Sequence, residues 1–187
     1  ASIALRAARE ASTHIVRSFD RPDLLKISEK GHNDFVTNID REVEYIIVEA
    51  LKTPYPDHNI TGEESRNNQI HEGAEYEWII DPIDGTGNFA SGNPPFGIMI
   101  ALADAGATLA GWILDPMTGR LCHALLGGGS HIDGEQVQAR ESGGDLDGIT
   151  DLQQGRDLEQ HDGHFRDAGI GDVSTGYRFR VEERGHA

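Results

Sequence analysis

Apolar residues set the first part of the chain into two helical stripes. Ile3, Ala7, Ala8, Ala11, Ile15, Val16 and Phe19 recur at spacings of three and four, with Arg6, Arg9, Glu10 and Arg17 on the other side. This is an amphipathic helix over residues 1–20 with Pro22 as its stop. A second stripe of Ile39, Val43, Ile46, Ile47, Ala50 and Leu51 predicts a helix over residues 38–52. Thr37-Asn38-Ile39-Asp40 opens it with a capping-box pattern, and Pro54 and Pro56 end it. The period then shortens. Tyr76–Ile80 is a β-branched and aromatic run that reads as a strand stopping at Asp81-Pro82. Phe96–Ala103, Ala107–Leu114 and Arg120–Leu126 are three more apolar runs, separated by Asp104-Ala105-Gly106 and by the five residues from Asp115 to Gly119. Ser130–Ile132 and Glu135–Val137 flank Asp133-Gly134, a hairpin signal. Two helices followed by an antiparallel meander give an α+β fold rather than a βαβ alternation.

Past about residue 142 the pattern dissolves. Gly143–Asp172 is rich in Gly and Asp with sparse, aperiodic apolar residues, and reads as loop or poorly ordered chain. Tyr177–Val181 is one further candidate strand. The expected organisation is therefore an N-terminal α+β domain over residues 1–142, with residues 143–187 as the beginning of an incomplete C-terminal part. The 187 residues suffice for one domain with a sizeable core.

Charge narrows the partners. With 16 Lys and Arg against 32 Asp and Glu the net charge is −16, so nucleic-acid backbone and anionic membrane are both repelled. No apolar run approaches the roughly 18–20 residues of a membrane helix, and no basic stretch precedes an apolar one at the start, as a secretory signal requires. Cys122 is the single cysteine, which excludes an internal disulfide and fits a reducing, cytoplasmic setting. A chain this acidic still binds phosphate when cations stand between the charges.

Three acidic positions suggest that route: Asp40 in the second helix, Glu63-Glu64, and Asp81 with Asp84 in Trp78-Ile79-Ile80-Asp81-Pro82-Ile83-Asp84-Gly85-Thr86. Each alone has an ordinary explanation. Asp40 is the fourth residue of a capping box, Glu63-Glu64 a solvated pair, and Asp-Pro-Ile-Asp-Gly a good reverse turn. A strand delivering Asp81 to its end, with the chain then reversing, returns Asp84 to the same corner. Carboxylates about 5 Å apart repel by roughly 3 kcal/mol per pair at an effective dielectric near 20, so a gathered set requires cations. Oxygen-only ligands favour hard ions, Mg²⁺ first and then Mn²⁺ or Ca²⁺. Gly85 and Thr86, at a helix start, offer N–H groups to a phosphate.

At these residues the sequence resembles the inositol monophosphatase family of Mg²⁺-dependent, lithium-sensitive phosphatases. Lys30-Gly31, Asp34, Val36-Thr37 and Asp40 look like one family segment, Gly62-Glu63-Glu64-Ser65 like a second, and Trp78 through Phe89 like its signature. Gly92–Phe96 and Asp115-Pro116-Met117 are similar to the stretches that follow. The resemblance covers residues 1 to about 140. It implies a layered αβαβα sandwich and a homodimer. It further implies that Glu63, Asp81, Asp84 and the Ile83 carbonyl hold two or three Mg²⁺ ions, with Mn²⁺ as substitute. Asp40 and Thr86 would then orient and deprotonate the attacking water, Gly85 with Thr86 would hold the phosphate, and Glu64 would reach a weaker additional ion.

Two departures stand out. Gly87 replaces a second Thr found in many members, and the family's later Trp-Asp-x-Ala-Ala-Gly segment is absent, so the chain is expected to stop short of it. The expected activity is hydrolysis of a small phosphorylated metabolite resembling inositol monophosphate by metal-activated water. Within the enzyme class the alternatives are a sugar bisphosphatase, a histidinol-phosphate phosphatase and a phosphoadenosine phosphatase. Outside it, the alternative is a catalytically silent metal- or anion-binding homologue. Gly127-Gly128-Gly129-Ser130 lacks the Lys-Ser/Thr of a P-loop and reads as an inter-strand connection. Asp145-Leu146-Asp147-Gly148 fails EF-hand spacing. Cys122-His123 with His161 and His164 lacks the paired spacing of a zinc site.

Overall fold

The computed structural model describes residues 2–31, 34–64 and 68–138. Helix α1 (Ser2–Phe19) is followed by a 3-10 turn at Pro22–Leu24, a hairpin of β1 (Ile27–Gly31) and β2 (Asp34–Thr37), and helix α2 (Asn38–Lys52). Then come β3 (Asn59–Gly62), β4 (Tyr76–Asp84), the short helix α3 (Thr86–Ala90), β5 (Gly97–Asp104), β6 (Ala107–Leu114), β7 (Leu121–Leu125), β8 (Gly129–Ile132) and β9 (Glu135–Val137). Strands β3 to β9 form one seven-stranded sheet in sequence order. Every neighbouring pair in it is antiparallel except β3 with β4, which run parallel.

The helices stand where the apolar stripes put them, and the capping box at Thr37 and Asp40 is formed in both directions. The meander pairs as the hairpin signals indicate, with the glycine run turning between β7 and β8. Three strands escaped the pattern. β1 and β2 carry no clear alternation, and β3 is four residues long with Ile60 as its one buried large side chain.

One expectation is overturned. β4 does not stop at Asp81-Pro82, and Asp-Pro-Ile-Asp is not a reverse turn: the strand runs on to Asp84. Asp81 pairs with Met99 and Asp84 with Gly97, so β4 carries one residue more than β5 across this stretch. A bulge leaves one residue outside the ladder, which is where a strand tolerates a proline lacking its N–H. The chain reverses only afterwards, through α3.

The core lies between the helices and the sheet. Ala4, Ala7, Ala8 and Ala11 on α1 are all buried, and their small side chains let α1 approach α2 closely. Ile15, Val43, Ile47 and Leu51 then close on Trp78, Ile80, Ile100 and Trp112. Trp78 stacks on Trp112 at 6.1 Å and donates its indole N–H to His58 Nδ1 at 3.1 Å, so the buried ring has its polar atom satisfied. Phe89 of α3 meets Phe96 edge to face at 5.3 Å, and Phe19 at the end of α1 lies 5.4 Å from Phe96. This aromatic cluster fastens α3 beneath α1. Among the described residues no helix is long and apolar enough to cross a membrane. The division at residues 142 and 143, the strand expected at Tyr177–Val181, Asp145–Gly148, His161 and His164 lie outside the described residues.

Candidate active site

Because β3 and β4 are parallel, their carboxyl ends reach the same edge of the sheet. Gly62 pairs with Ile80, and the Glu63 N–H extends the ladder by one bond to the Ile80 carbonyl at 3.0 Å. Glu63 therefore stands beside Asp81 at the carboxyl ends of the two strands. Burial in the first place, then the negative charges of Glu63, Asp84 and Asp40, push the Asp81 carboxyl well above the usual carboxylate range. Among the described residues, Asp81 Oδ1 is buried without a hydrogen-bond partner. Asp84 follows at the end of the bulged strand, one residue before the turn into α3.

The second half of the site hangs on α2. Asp40 is 1 % exposed. Its Oδ2 accepts the Thr37 backbone N–H at 2.9 Å and the Thr37 hydroxyl, whose oxygen in turn accepts the Ile39 and Asp40 N–H groups. Its Oδ1 faces the other way, 2.9 Å from Thr86 Oγ1. That hydroxyl lies equally close to the Ile83 carbonyl, also 2.9 Å away. One hydroxyl has one proton, so Thr86 donates to one of these acceptors at a time. Thr86 can reach back because Gly85 before it is left-handed at φ 87°, a conformation suited to glycine. A side chain there would also crowd the Pro95 carbonyl at 3.3 Å.

Glu64 is tied to α2 rather than to the sheet. Its N–H donates to Glu44 Oε2 at 2.7 Å, and its carboxylate lies 3.8 Å from Arg41 Nε. Arg41 and Glu44 are thus contacts of the site that the motif reading did not single out. A signal for Glu44 existed: it falls four residues after Asp40 on the buried stripe of α2, where a carboxylate is out of place unless partnered.

Residues 1–167 match the sequence profile of the inositol monophosphatase family. The chain belongs to that family. Nus factor SuhB of Vibrio cholerae is 42 % identical over 141 residues, covering 74 % of this chain and 52 % of that protein. Among solved structures, the extragenic suppressor protein SuhB of Bartonella henselae superposes with a TM-score of 0.71 at 33 % identity, over 74 % of this chain and 53 % of that one. The Thermotoga maritima IMPase gives 0.67 at 33 % identity, over 75 % and 54 %. The α+β fold, helices on one large mixed sheet, is that of these family structures. The chain spans about half the length of the curated relatives it matches.

For an inositol monophosphatase family member the question is whether these residues suit a hard divalent cation. The donors are all oxygens: the carboxylates of Glu63, Asp81 and Asp84 and the Ile83 carbonyl at the bulge. Asp81 Oδ1, buried and unbonded, is an atom that a cation would satisfy. Among the described residues no group of three or more His, Cys, Asp or Glu side chains is gathered closely enough to hold a metal ion. In their chemistry, all oxygen with one buried carboxylate oxygen unbonded, the donors fit a hard cation.

Proposed function

We propose that the protein carries the metal-gathering corner of a Mg²⁺-dependent phosphomonoesterase acting on a small phosphorylated metabolite such as an inositol monophosphate. The observation that carries this reading is the Thr86–Asp40 hydrogen bond beside the Glu63, Asp81 and Asp84 carboxylates. Glu63, Asp81, Asp84 and the Ile83 carbonyl would hold Mg²⁺ or Mn²⁺, with Glu64 toward an additional ion. When bound, such ions lower the pKa of water and steady the leaving oxygen. Thr86 Oγ1 orients the attacking water and takes its proton while passing its own to Asp40 Oδ1. Asp40 stays aimed because Thr37 holds its other oxygen. The N–H groups of Gly85 and Thr86 bind the phosphoryl oxygens. Water attacks phosphorus directly as the ester P–O bond breaks, and the leaving oxygen takes a proton from solvent and departs as the alcohol, without a phosphoenzyme, since no Cys, Ser or His stands in a nucleophile motif. A homodimer and a cytoplasmic setting belong to the same reading.

A second reading has a specific observation behind it: several similar curated relatives are named Nus factors. In that reading the acidic corner binds metal or anion for assembly without turnover. A phosphatase panel on the native full-length polypeptide separates the two. Phosphate release from inositol monophosphate that needs Mg²⁺ and falls with Li⁺ supports the enzyme. Metal binding with no release from any phosphomonoester favours the silent homologue.

A further inference from the structure

Helix α2 carries a second inward carboxylate, Glu44, one turn beyond Asp40 and 0 % exposed. A carboxylate is fully buried only where specific partners hold it. Its Oε2 accepts the Glu64 N–H at 2.7 Å, and it lies against Gly62. A Cβ at position 62 would stand 2.8 Å from Glu44 Cγ and still closer to the carboxyl group, so the absence of a side chain at Gly62 makes the room. The consequence falls on Glu63 between them. Its own N–H is held by the Ile80 carbonyl of β4 at 3.0 Å, and the next N–H, that of Glu64, by Glu44. Both peptide planes flanking the Glu63 Cα are therefore pinned, one by the sheet and one by α2. That fixes the direction in which the Glu63 side chain leaves the backbone, toward Asp81.

We propose that Glu44 is a positioning residue for divalent-cation binding, which aims Glu63 at the metal by pinning the Glu64 amide. This rests on the reading of the acidic corner as a metal centre. α2 then braces the site twice: Asp40 holds the β4–α3 corner through Thr86, and Glu44 holds the end of β3 through Glu64. Outer-shell supports of this kind are worth about 10–100-fold in metal affinity or activity.

The test is a Mn²⁺ titration, followed by loss of the free-ion EPR signal, on the full chain and its variants, with thermal melts in the absence of metal. Glu44→Gln keeps a side-chain carbonyl that can accept the Glu64 N–H, and is expected to bind Mn²⁺ close to wild type. Glu44→Asp withdraws the acceptor by one methylene and is expected to weaken binding roughly tenfold without a matching change in melting temperature. Gly62→Ala, which displaces the Glu44 carboxyl while leaving it intact, is expected to weaken binding similarly, and decides the matter should the Asp variant not fold. Wild-type affinity in both Glu44→Asp and Gly62→Ala, or a loss in Glu44→Gln as large as in Glu44→Asp, overturns the role. A wild-type chain that takes up no Mn²⁺ instead sinks the metal-centre reading beneath it.

Discussion

Thr86 Oγ1 lies 2.9 Å from Asp40 Oδ1, a contact made across 46 residues of sequence. The two oxygens of Asp40 divide two duties. Oδ2 closes the capping box at the start of α2 with Thr37, while Oδ1 faces the hydroxyl that opens α3. The same carboxylate is a helix cap and the proposed terminal proton acceptor.

Asp40→Asn separates those duties. The amide keeps one oxygen able to accept a hydrogen bond, yet cannot take a proton from Thr86. Turnover should fall by about 10²–10⁴, while Mn²⁺ affinity and the circular dichroism spectrum stay near wild type. Steady-state kinetics beside a metal titration decides this: equal losses in turnover and affinity would place Asp40 among the ligands instead.

Asp84→Asn tests the metal arm. Asp84 is half-buried at the end of β4, outside the apolar core, so the fold should survive with a melting temperature near wild type. Most of the activity should go, because replacing a carboxylate with an amide removes a charge the cation needs. Near-normal turnover by the variant would remove Asp84 from the ligand set.

The pH response follows from Asp81. Its carboxyl is held well above the ordinary value of 3.8, first by burial and then by the charges of Glu63, Asp84 and Asp40. The folded, metal-free protein therefore binds a proton there that the unfolded chain releases. Asp81's contribution to stability is fully present below its unfolded value and is lost as pH rises through the folded one. Cation binding must displace that proton, so apparent Mg²⁺ affinity should rise with pH and binding should acidify a weakly buffered solution. Calorimetric titrations in buffers of different ionisation enthalpy measure the proton count. A Mg²⁺ affinity independent of pH from mildly acid to neutral would show that Asp81 is not a ligand.

How much of this the sequence announces differs element by element. α1 and α2 are legible because their apolar stripes repeat over four turns and Thr37 and Asp40 mark a boundary. β5 to β9 are legible because Gly, Asp and Pro punctuate alternating runs. β3 is not, since Asn-Ile-Thr-Gly is too short to show a period and gains its strand form from pairing with β4. The extension of β4 through Pro82 is hidden for another reason: Asp-Pro-Ile-Asp-Gly satisfies local turn preferences, and only the bulge against β5 overrides them. Within the site, the acidic motifs stand out as residues, and Thr37 announces its contact with Asp40 through the capping box. Glu44 does not: it reads as one more charge on a helix, because its contact with Glu64 exists only once the chain has folded.

Thr37 links stability to turnover and can be made to report on both. Its side chain is fully buried and serves three partners: the hydroxyl oxygen accepts the Ile39 and Asp40 N–H groups, and the hydroxyl proton goes to Asp40 Oδ2. Thr37→Ala removes an N-cap, worth about 1 kcal/mol, or about 2–4 °C in melting temperature for a chain of this size. It also leaves Asp40 Oδ2 with the Thr37 backbone N–H but without the hydroxyl that holds it from the other side. Turnover should drop while Mn²⁺ affinity changes little, and Thr37→Ser, which keeps the hydroxyl, should restore both melting temperature and turnover. In the Asp40→Asn background the same Thr37→Ala change should cost little further turnover, since the proton acceptor it orients is already gone. A Thr37→Ala protein that melts early yet turns over at the wild-type rate would mean that the cap serves the helix alone, and that Asp40 is aimed by Thr86 without help from Thr37.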